Sequence, residues 1–85
     1  MKVVVHRRAA RYLRRLPADQ KETVKSRLRA LAEDPLGPAD VKEMKGRWAG
    51  YHRLRVGDRR VIFKIDHRAQ IIYVDHVGPR GDVYK

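Results

Sequence analysis

The sequence contains no cysteine, one tryptophan and one phenylalanine. Without cysteine the chain cannot form a disulfide bond, a thiolate zinc site or a cysteine nucleophile, and this composition suits a reducing compartment. The N-terminal residues carry basic charge but no apolar run of signal-peptide length, and the apolar runs elsewhere are too short to span a bilayer. We therefore expect a cytoplasmic protein that has no membrane partner.

Acidic side chains are scarce relative to basic ones. The 85 residues include 21 lysines and arginines and 10 aspartates and glutamates, which gives a formal net charge of +11. Such a charge attracts polyanions and favours binding to phosphate backbones. Nucleic acid, the ribosome or an acidic protein is the predicted partner, while a basic soluble domain without such a partner stays open.

The length predicts one domain, residues 1–85. A chain this short buries only about 60 to 65% of the surface that it exposes when unfolded, so its core is one layer between a sheet and a few helices.

The first half of the sequence has helical spacing after a short strand. Lys2–His6 is rich in valine and predicts a strand, and Arg7–Leu16 predicts a helix that ends at Pro17. Asp19 and Glu22 have the spacing of a capping box at the start of a second helix. The predicted buried stripe of that helix consists of Val24, Leu28, Leu31 and Ala32. The short connection predicts a helical hairpin.

The second half has the pattern of strands. Residues 41–45 are a weak strand candidate, whereas residues 51–56 and 59–65 alternate and flank a Gly57-Asp58 turn. Residues 70–77 form the last predicted strand, which Gly78-Pro79 would break. The predicted fold is α+β: an N-terminal strand, a helical hairpin and an antiparallel β-meander, with the helices packed on one face of the sheet and the other face open.

Arginines gather on the predicted open face. Alternation places Arg53 and Arg55 on the same side of one strand, and the turn brings Arg60 of the next strand close to them. Cations this close repel one another unless an anion lies between them. Arg80 and Tyr84 follow the last strand; guanidinium groups pair with phosphate oxygens, and a tyrosine can stack on a base or donate a proton. These residues predict RNA as the substrate.

Three segments carry a resemblance to a known family: RRAARYLRRLP, KGRWAGYHRLRVGDRRVIFKID and VGPRGDVYK. With them the chain resembles the RelE family of toxins, within the RelE/ParE superfamily of toxin–antitoxin systems. The resemblance implies a ribosome-dependent endoribonuclease that cleaves mRNA in the ribosomal A site and needs no metal or other cofactor. It also implies inhibition by a cognate antitoxin, with a toxin–antitoxin heterotetramer as one assembly. The implied catalytic residues are Arg53, Arg55, Arg60, Arg80 and Tyr84.

The general base is not assigned by this comparison. The chain has Arg53 and Arg55 where relatives often have lysine, and Pro79 where many have histidine. Arginine is a poor base because its pKa is above about 12. Tyr84 has two roles open: a base, if neighbouring arginines lower its pKa, or a platform that stacks on the RNA base beside the cut.

The remaining aromatic, histidine and arginine residues also have expected roles, and two other functions stay open. Tyr51 and Trp48 are expected to pack rather than to bind RNA, and the four histidines lack metal-ligand spacing. The predicted RNA- and ribosome-binding arginines of the first helix are Arg7, Arg8, Arg11, Arg14 and Arg15. Two alternatives remain: a ParE-like gyrase poison without catalytic activity, and an RNA-binding module that does not cleave.

Overall fold

The computed structural model describes residues 1–37 and 40–79. Its elements in chain order are β1 (Lys2–Val5), α1 (Arg7–Arg14), α2 (Ala18–Glu33), β2 (Val41–Glu43), one turn of 3₁₀ helix (Gly46–Trp48), β3 (His52–Val56), β4 (Arg59–Asp66) and β5 (Ile71–Pro79).

The strands form one mixed sheet with the order β1-β5-β4-β3-β2. Strand β1 runs parallel to β5, and all other neighbours are antiparallel. A parallel pair needs a long crossover connection, which here includes the α1–α2 hairpin. The two helices pack on one face of the sheet, so the predicted α+β fold is confirmed.

The two helices begin in different ways. In α1 the Nδ1 atom of His6 accepts a hydrogen bond from the backbone N–H of Arg8 at 3.1 Å. Helix α2 starts directly after Pro17, whose carbonyl accepts from the backbone N–H of Lys21 at 2.9 Å. No side chain caps this helix, so the predicted capping box is wrong. Pro17 starts the helix early because its fixed φ suits a helix start, and this leaves Asp19 inside the first turn.

The core lies between the helices and the sheet. Both helices contribute one buried stripe, and the strands contribute the residues that alternate toward them. The buried members are Ala9, Leu13, Val24, Leu28, Leu31, Leu54, Val56, Val61, Phe63, Ile72, Val74 and Val77. Ala32, predicted in the α2 stripe, is half-buried. The ring of His52 stacks on Phe63 with centroids 5.6 Å apart, which extends the core to the first residue of β3.

Strand β5 is longer than its sequence predicts. It continues through Gly78 and Pro79, which pair with Arg60 and Arg59 of β4, so the predicted break at these two residues is wrong. Strand β1 already ends at the level of Val74, and beyond that point, among the described residues, β5 has a strand neighbour on one side only. A proline is tolerated there because its missing N–H is not needed by a second neighbour.

The sheet face opposite the helices, called the outer face below, is not open throughout. Arg60 is only 7% exposed and Ile62 is fully buried. Both residues alternate with Val61 and Phe63, which point to the helices, so they lie on the outer face. The prediction of an open face is therefore wrong at the centre of β4, although Arg55 and Lys64 beside it are exposed.

Candidate nucleic-acid interface

The β3–β4 hairpin determines where its arginines lie. Gly57 has a φ of 58°, the left-handed conformation that a two-residue hairpin turn with Asp58 requires. This turn sets the register so that Arg55 pairs directly with Arg60. Residues that are directly opposite in an antiparallel pair point to the same face. The predicted proximity of these two arginines is thus present in the structure.

A fourth cation completes the group. Lys42 of β2 pairs directly with Arg53 of β3, on the same outer face. We call the four residues Lys42, Arg53, Arg55 and Arg60 the cation track. Lys42 was missed in the sequence because residues 41–45 do not alternate clearly. The three-residue strand is defined instead by its pairing with β3.

The members of the cation track differ in exposure. Lys42 and Arg55 are exposed, Arg53 is half-buried and Arg60 is buried. A charged side chain loses hydration when it is buried and then depends on nearby charged or polar groups. The track therefore runs from solvent at the β2 edge into the sheet at β4.

A cavity of about 220 Å³ lies beside the exposed part of the track. It is lined by Asp40, Lys42, Arg53 and Arg55. The Oδ2 atom of Asp40 already accepts a hydrogen bond from Arg27 of α2 at 2.8 Å. Among the described residues, three cations and one carboxylate thus line this cavity, and the carboxylate is already paired with Arg27. Such an excess of positive charge favours an anionic ligand.

Arg80 and Tyr84 lie outside the described residues, so their predicted roles stay predictions. The last described residue, Pro79, pairs with Arg59 at the start of β4, and Gly78 pairs with Arg60. The described part of β5 therefore ends beside the β3–β4 hairpin.

The predicted ribosome-binding arginines are all exposed. They are Arg7, Arg8, Arg11, Arg14 and Arg15. The buried residues of α1, Ala9 and Leu13, pack against the inner face of the sheet. The helix arginines and the cation track therefore belong to different layers of the molecule.

The aromatic residues near the track pack on their neighbours. Trp48 and Tyr51 meet edge to face with ring centroids 5.1 Å apart. The Nζ atom of Lys64 lies 5.7 Å from the ring centroid of Tyr51 and 5.8 Å from that of Tyr73. These distances are within the range of cation–π attraction. The row Tyr51, Lys64 and Tyr73 borders the track on the outer face.

A larger cavity, of about 740 Å³, lies toward the β1 edge of the sheet and is lined by residues that include Val4, Lys64 and Tyr73. Of the predicted catalytic residues that the structure describes, Arg53, Arg55 and Arg60, none lines this cavity. Its lining carries both acidic and basic groups, such as Asp75 and Arg68, and lacks the one-sided charge of the smaller cavity. We therefore place the candidate interface at the cation track, because the charge of its cavity suits an anion even though the other cavity is larger.

Residues 1–37 and 40–79 contain no group of three or more histidine, cysteine or acidic side chains that could hold a metal ion. In the same ranges no helix is both long and apolar enough to cross a bilayer.

The sequence model of the ParE toxin of type II toxin–antitoxin systems matches residues 3–84. The chain belongs to this toxin family. The family lies within the RelE/ParE superfamily, so the resemblance found in the sequence is confirmed. No curated protein matches the chain.

Solved structures of other toxins share the fold. In the archaeal RelE–RelB complex from Pyrococcus horikoshii, the matched chain is 26% identical, with a TM-score of 0.82 over 95% of this chain and 96% of that one. In the RelBE2 toxin–antitoxin complex from Mycobacterium tuberculosis, the matched chain is 25% identical, with a TM-score of 0.82 over 93% of this chain and 96% of that one. The isolated RelE toxin from Escherichia coli is 21% identical, with a TM-score of 0.77 over 98% and 89%. The protein is therefore a toxin of the RelE/ParE superfamily.

Proposed function

We propose that this toxin is a ribosome-dependent endoribonuclease that cleaves mRNA in the ribosomal A site and so inhibits translation in the cytoplasm. The observation that carries the proposal is the cation track, in which Lys42 faces Arg53 and Arg55 faces Arg60. Like charges directly opposite each other destabilise a sheet. An RNA backbone between Lys42 and Arg53 would turn their repulsion into binding energy.

The proposed reaction is an internal transfer at one phosphate of the RNA. The 2′-oxygen forms a bond to the adjacent phosphorus and the bond from phosphorus to the 5′-oxygen breaks, which leaves a 2′,3′-cyclic phosphate and a 5′-hydroxyl. A base takes the proton of the 2′-hydroxyl, and an acid gives a proton to the leaving oxygen. Cations stabilise the negative charge that collects on the phosphorane.

In this scheme Arg53, Arg55 and Arg60 position the phosphate and stabilise its charge. We propose the same role for Arg80, and base catalysis or base stacking for Tyr84. The charge stabilisation comes from guanidinium groups, so we propose that cleavage does not require a metal ion. The general base stays unassigned.

The ribosome would supply part of the catalysis by holding the RNA. Correct alignment of the reacting groups lowers the activation barrier, and this can make up for a large part of what a strong base would contribute. The five exposed arginines at positions 7, 8, 11, 14 and 15 could contact ribosomal RNA through its phosphates. Since α1 lies on the other layer, these contacts would leave the outer face accessible to mRNA.

We also propose a cognate antitoxin as the second partner. The similar proteins from Pyrococcus horikoshii and Mycobacterium tuberculosis were each solved as a complex with an antitoxin. An acidic, partly disordered protein could cover the basic surface of this chain, and a heterotetramer is one assembly that such a pair could form. Co-expression with the antitoxin should increase the soluble yield and abolish growth inhibition. The on-rate should decrease as salt rises.

A gyrase poison is the second candidate, because the matching family model is that of ParE. The fold does not separate the two functions. The cation track favours the nuclease, since a protein that only blocks gyrase needs no cations converging on one cavity.

Regulated expression followed by primer extension of cellular mRNA tests the proposal. We expect new 5′ ends inside coding regions with the parental protein and none with Arg53→Gln/Arg55→Gln. The matched control is Arg47→Gln/Arg68→Gln, which removes the same charge from exposed positions outside the track. The control should still produce the new ends. If mRNA stays intact and the purified protein inhibits gyrase in a supercoiling assay, the nuclease proposal is wrong and the protein is a gyrase poison.

A further inference from the structure

Lys42 lies next to other cations, where a surface lysine without a function would be repelled. It is exposed on the edge strand β2, directly opposite Arg53, and lines the small cavity with Arg53 and Arg55. Within the described residues the salt bridges join Arg27 to Asp40 and Arg29 to Glu22, so Lys42 takes part in neither. A lysine on an edge strand can also serve only to prevent edge-to-edge association, and the experiment must separate these roles.

The cations of the track follow a diagonal across three strands. Lys42 pairs with Arg53 on the β2 side, and Arg60 pairs with Arg55 on the β4 side. The two positions off the diagonal are not basic. On the β4 side Arg53 faces Ile62, and on the β2 side the carbonyl of Asp40 accepts from the backbone N–H of Arg55 at 3.2 Å. The positive charge is thus arranged as two pairs in a line.

The two pairs have a spacing that suits a polyanion. Arg53 and Arg55 are two residues apart on one strand, which places their Cα atoms roughly 6.8 Å apart. This is comparable to the separation of neighbouring phosphates along an extended RNA strand. One phosphate between Lys42 and Arg53 would relieve their like-charge contact.

On this basis, and given that the substrate is RNA as proposed above, we infer that Lys42 is a phosphate-binding residue. Lys42 and Arg53 hold one phosphate, and the exposed Arg55 holds the next phosphate of the same RNA strand. Lys42, at the sheet edge, fixes the outer end of this path.

The salt dependence of RNA binding tests the inference. The probe is a single-stranded oligoribonucleotide with 2′-O-methyl groups, which cannot be cleaved through the 2′-oxygen. The logarithm of the binding constant K falls linearly with the logarithm of the salt concentration. Each lost phosphate contact should make this slope less steep by about 0.7 for a single strand. We expect this decrease for Lys42→Gln, and we expect Lys42→Arg to restore the slope.

The matched control is Lys25→Gln, an exposed lysine on α2 with the same change of net charge. It should leave the slope close to the parental value. If Lys42→Gln and Lys25→Gln give equal slopes, with circular dichroism spectra that show both proteins folded, Lys42 does not bind a phosphate and the inference is overturned.

A double-substitution cycle tests whether Lys42 shares its phosphate with Arg53. The losses in log K of Lys42→Gln and Arg53→Gln should not add, because both side chains act on one phosphate, whereas those of Lys42→Gln and Arg55→Gln should add. If the losses in log K for Lys42→Gln and Arg53→Gln add, the two side chains do not share one phosphate.

The same variants distinguish this inference from the proposed nuclease. If the parental protein cleaves ribosome-bound mRNA but Lys42→Gln behaves like Lys25→Gln in both assays, only the inference fails. If the parental protein cleaves no mRNA while Lys42→Gln still lowers the slope, the nuclease fails and the RNA contact stands.

Discussion

Arg59, at the start of β4, donates a hydrogen bond from Nε to the hydroxyl oxygen of Tyr12 in α1 at 3.3 Å. Its Nη2 atom also donates to the side-chain oxygen of Gln20 in α2. One side chain thus ties the β3–β4 hairpin to both helices. Since Arg59 directly precedes Arg60, these bonds hold the end of the hairpin that carries the inner part of the cation track.

Replacing the Tyr12 hydroxyl should therefore destabilise the protein by a measurable amount. A hydrogen bond of this kind contributes about 1 kcal/mol, and 1 kcal/mol lowers the Tm of a domain of this size by roughly 4–8 °C. We expect such a decrease for Tyr12→Phe by differential scanning calorimetry. The control is Tyr73→Phe, which keeps the ring near Lys64 and should leave Tm almost unchanged. Equal Tm values for the two variants would mean that the Arg59–Tyr12 bond contributes nothing.

Gly57 offers a second test, aimed at the hairpin register. At a φ of 58° an alanine costs roughly 1–2 kcal/mol, because its Cβ approaches the following carbonyl. The space around Gly57 is open, so the cost is confined to the backbone. Gly57→Ala should lower the urea midpoint, and Gly57→Asn should lower it less because asparagine tolerates this conformation. A larger loss for asparagine than for alanine would show that the turn has another conformation.

The pH dependence of stability should include a small contribution from Glu22. The hydrogen bond and the positive charge of Arg29 lower the pKa of Glu22 below its ordinary value of 4.5. The group then stabilises the folded state above pH 4.5, and this contribution is lost as the pH falls through the lowered pKa. Both side chains are 65% exposed, so solvent and salt weaken the pair.

Urea unfolding of the parental protein and Glu22→Gln at several pH values checks this expectation. The parental protein should be slightly more stable at pH 7 and low salt. The difference should vanish at the acidic end of the titration and at high salt. A difference that grows as the pH falls would contradict the assigned direction.

Arg80 and Tyr84 can be tested by activity alone. If Arg80 stabilises the phosphorane, Arg80→Ala should lower the cleavage rate by roughly 10² to 10³-fold, the effect of losing one oxyanion-type donor. Tyr84→Phe separates two roles, because phenylalanine keeps stacking and loses proton transfer. A folded Arg80→Ala protein with the parental cleavage rate would remove this residue from the mechanism.

The sequence predicted that Arg60 lies close to Arg53 and Arg55, because a two-residue turn joins their strands. The structure adds that Arg60 pairs directly with Arg55. The sequence did not predict the pairing of Lys42 with Arg53. Strand β2 has three residues and no clear alternation, so its position depends on hydrogen bonds to β3 that the local sequence does not encode. A longer strand would have carried a stronger signal.

Two other differences have similar causes. Alternation assigns Arg60 and Ile62 to the face opposite the helices, but alternation alone does not reveal that this face is covered there. The spacing of Asp19 and Glu22 fits a capping box, yet Pro17 starts α2 two residues earlier, and Glu22 accepts a hydrogen bond from Arg29 at 2.7 Å. In both cases neighbouring structure overrides a correct local pattern.

The most direct test of the central claim is cleavage of one mRNA by the purified toxin with and without ribosomes that translate it. Without an assigned strong base, the reaction should depend on the ribosome to align the 2′-oxygen with the scissile bond. We expect free mRNA to stay largely intact and ribosome-bound mRNA to be cut in the A site, with the cut lost in Arg53→Gln/Arg55→Gln. Equal cleavage with and without ribosomes, or none in either, would contradict the account.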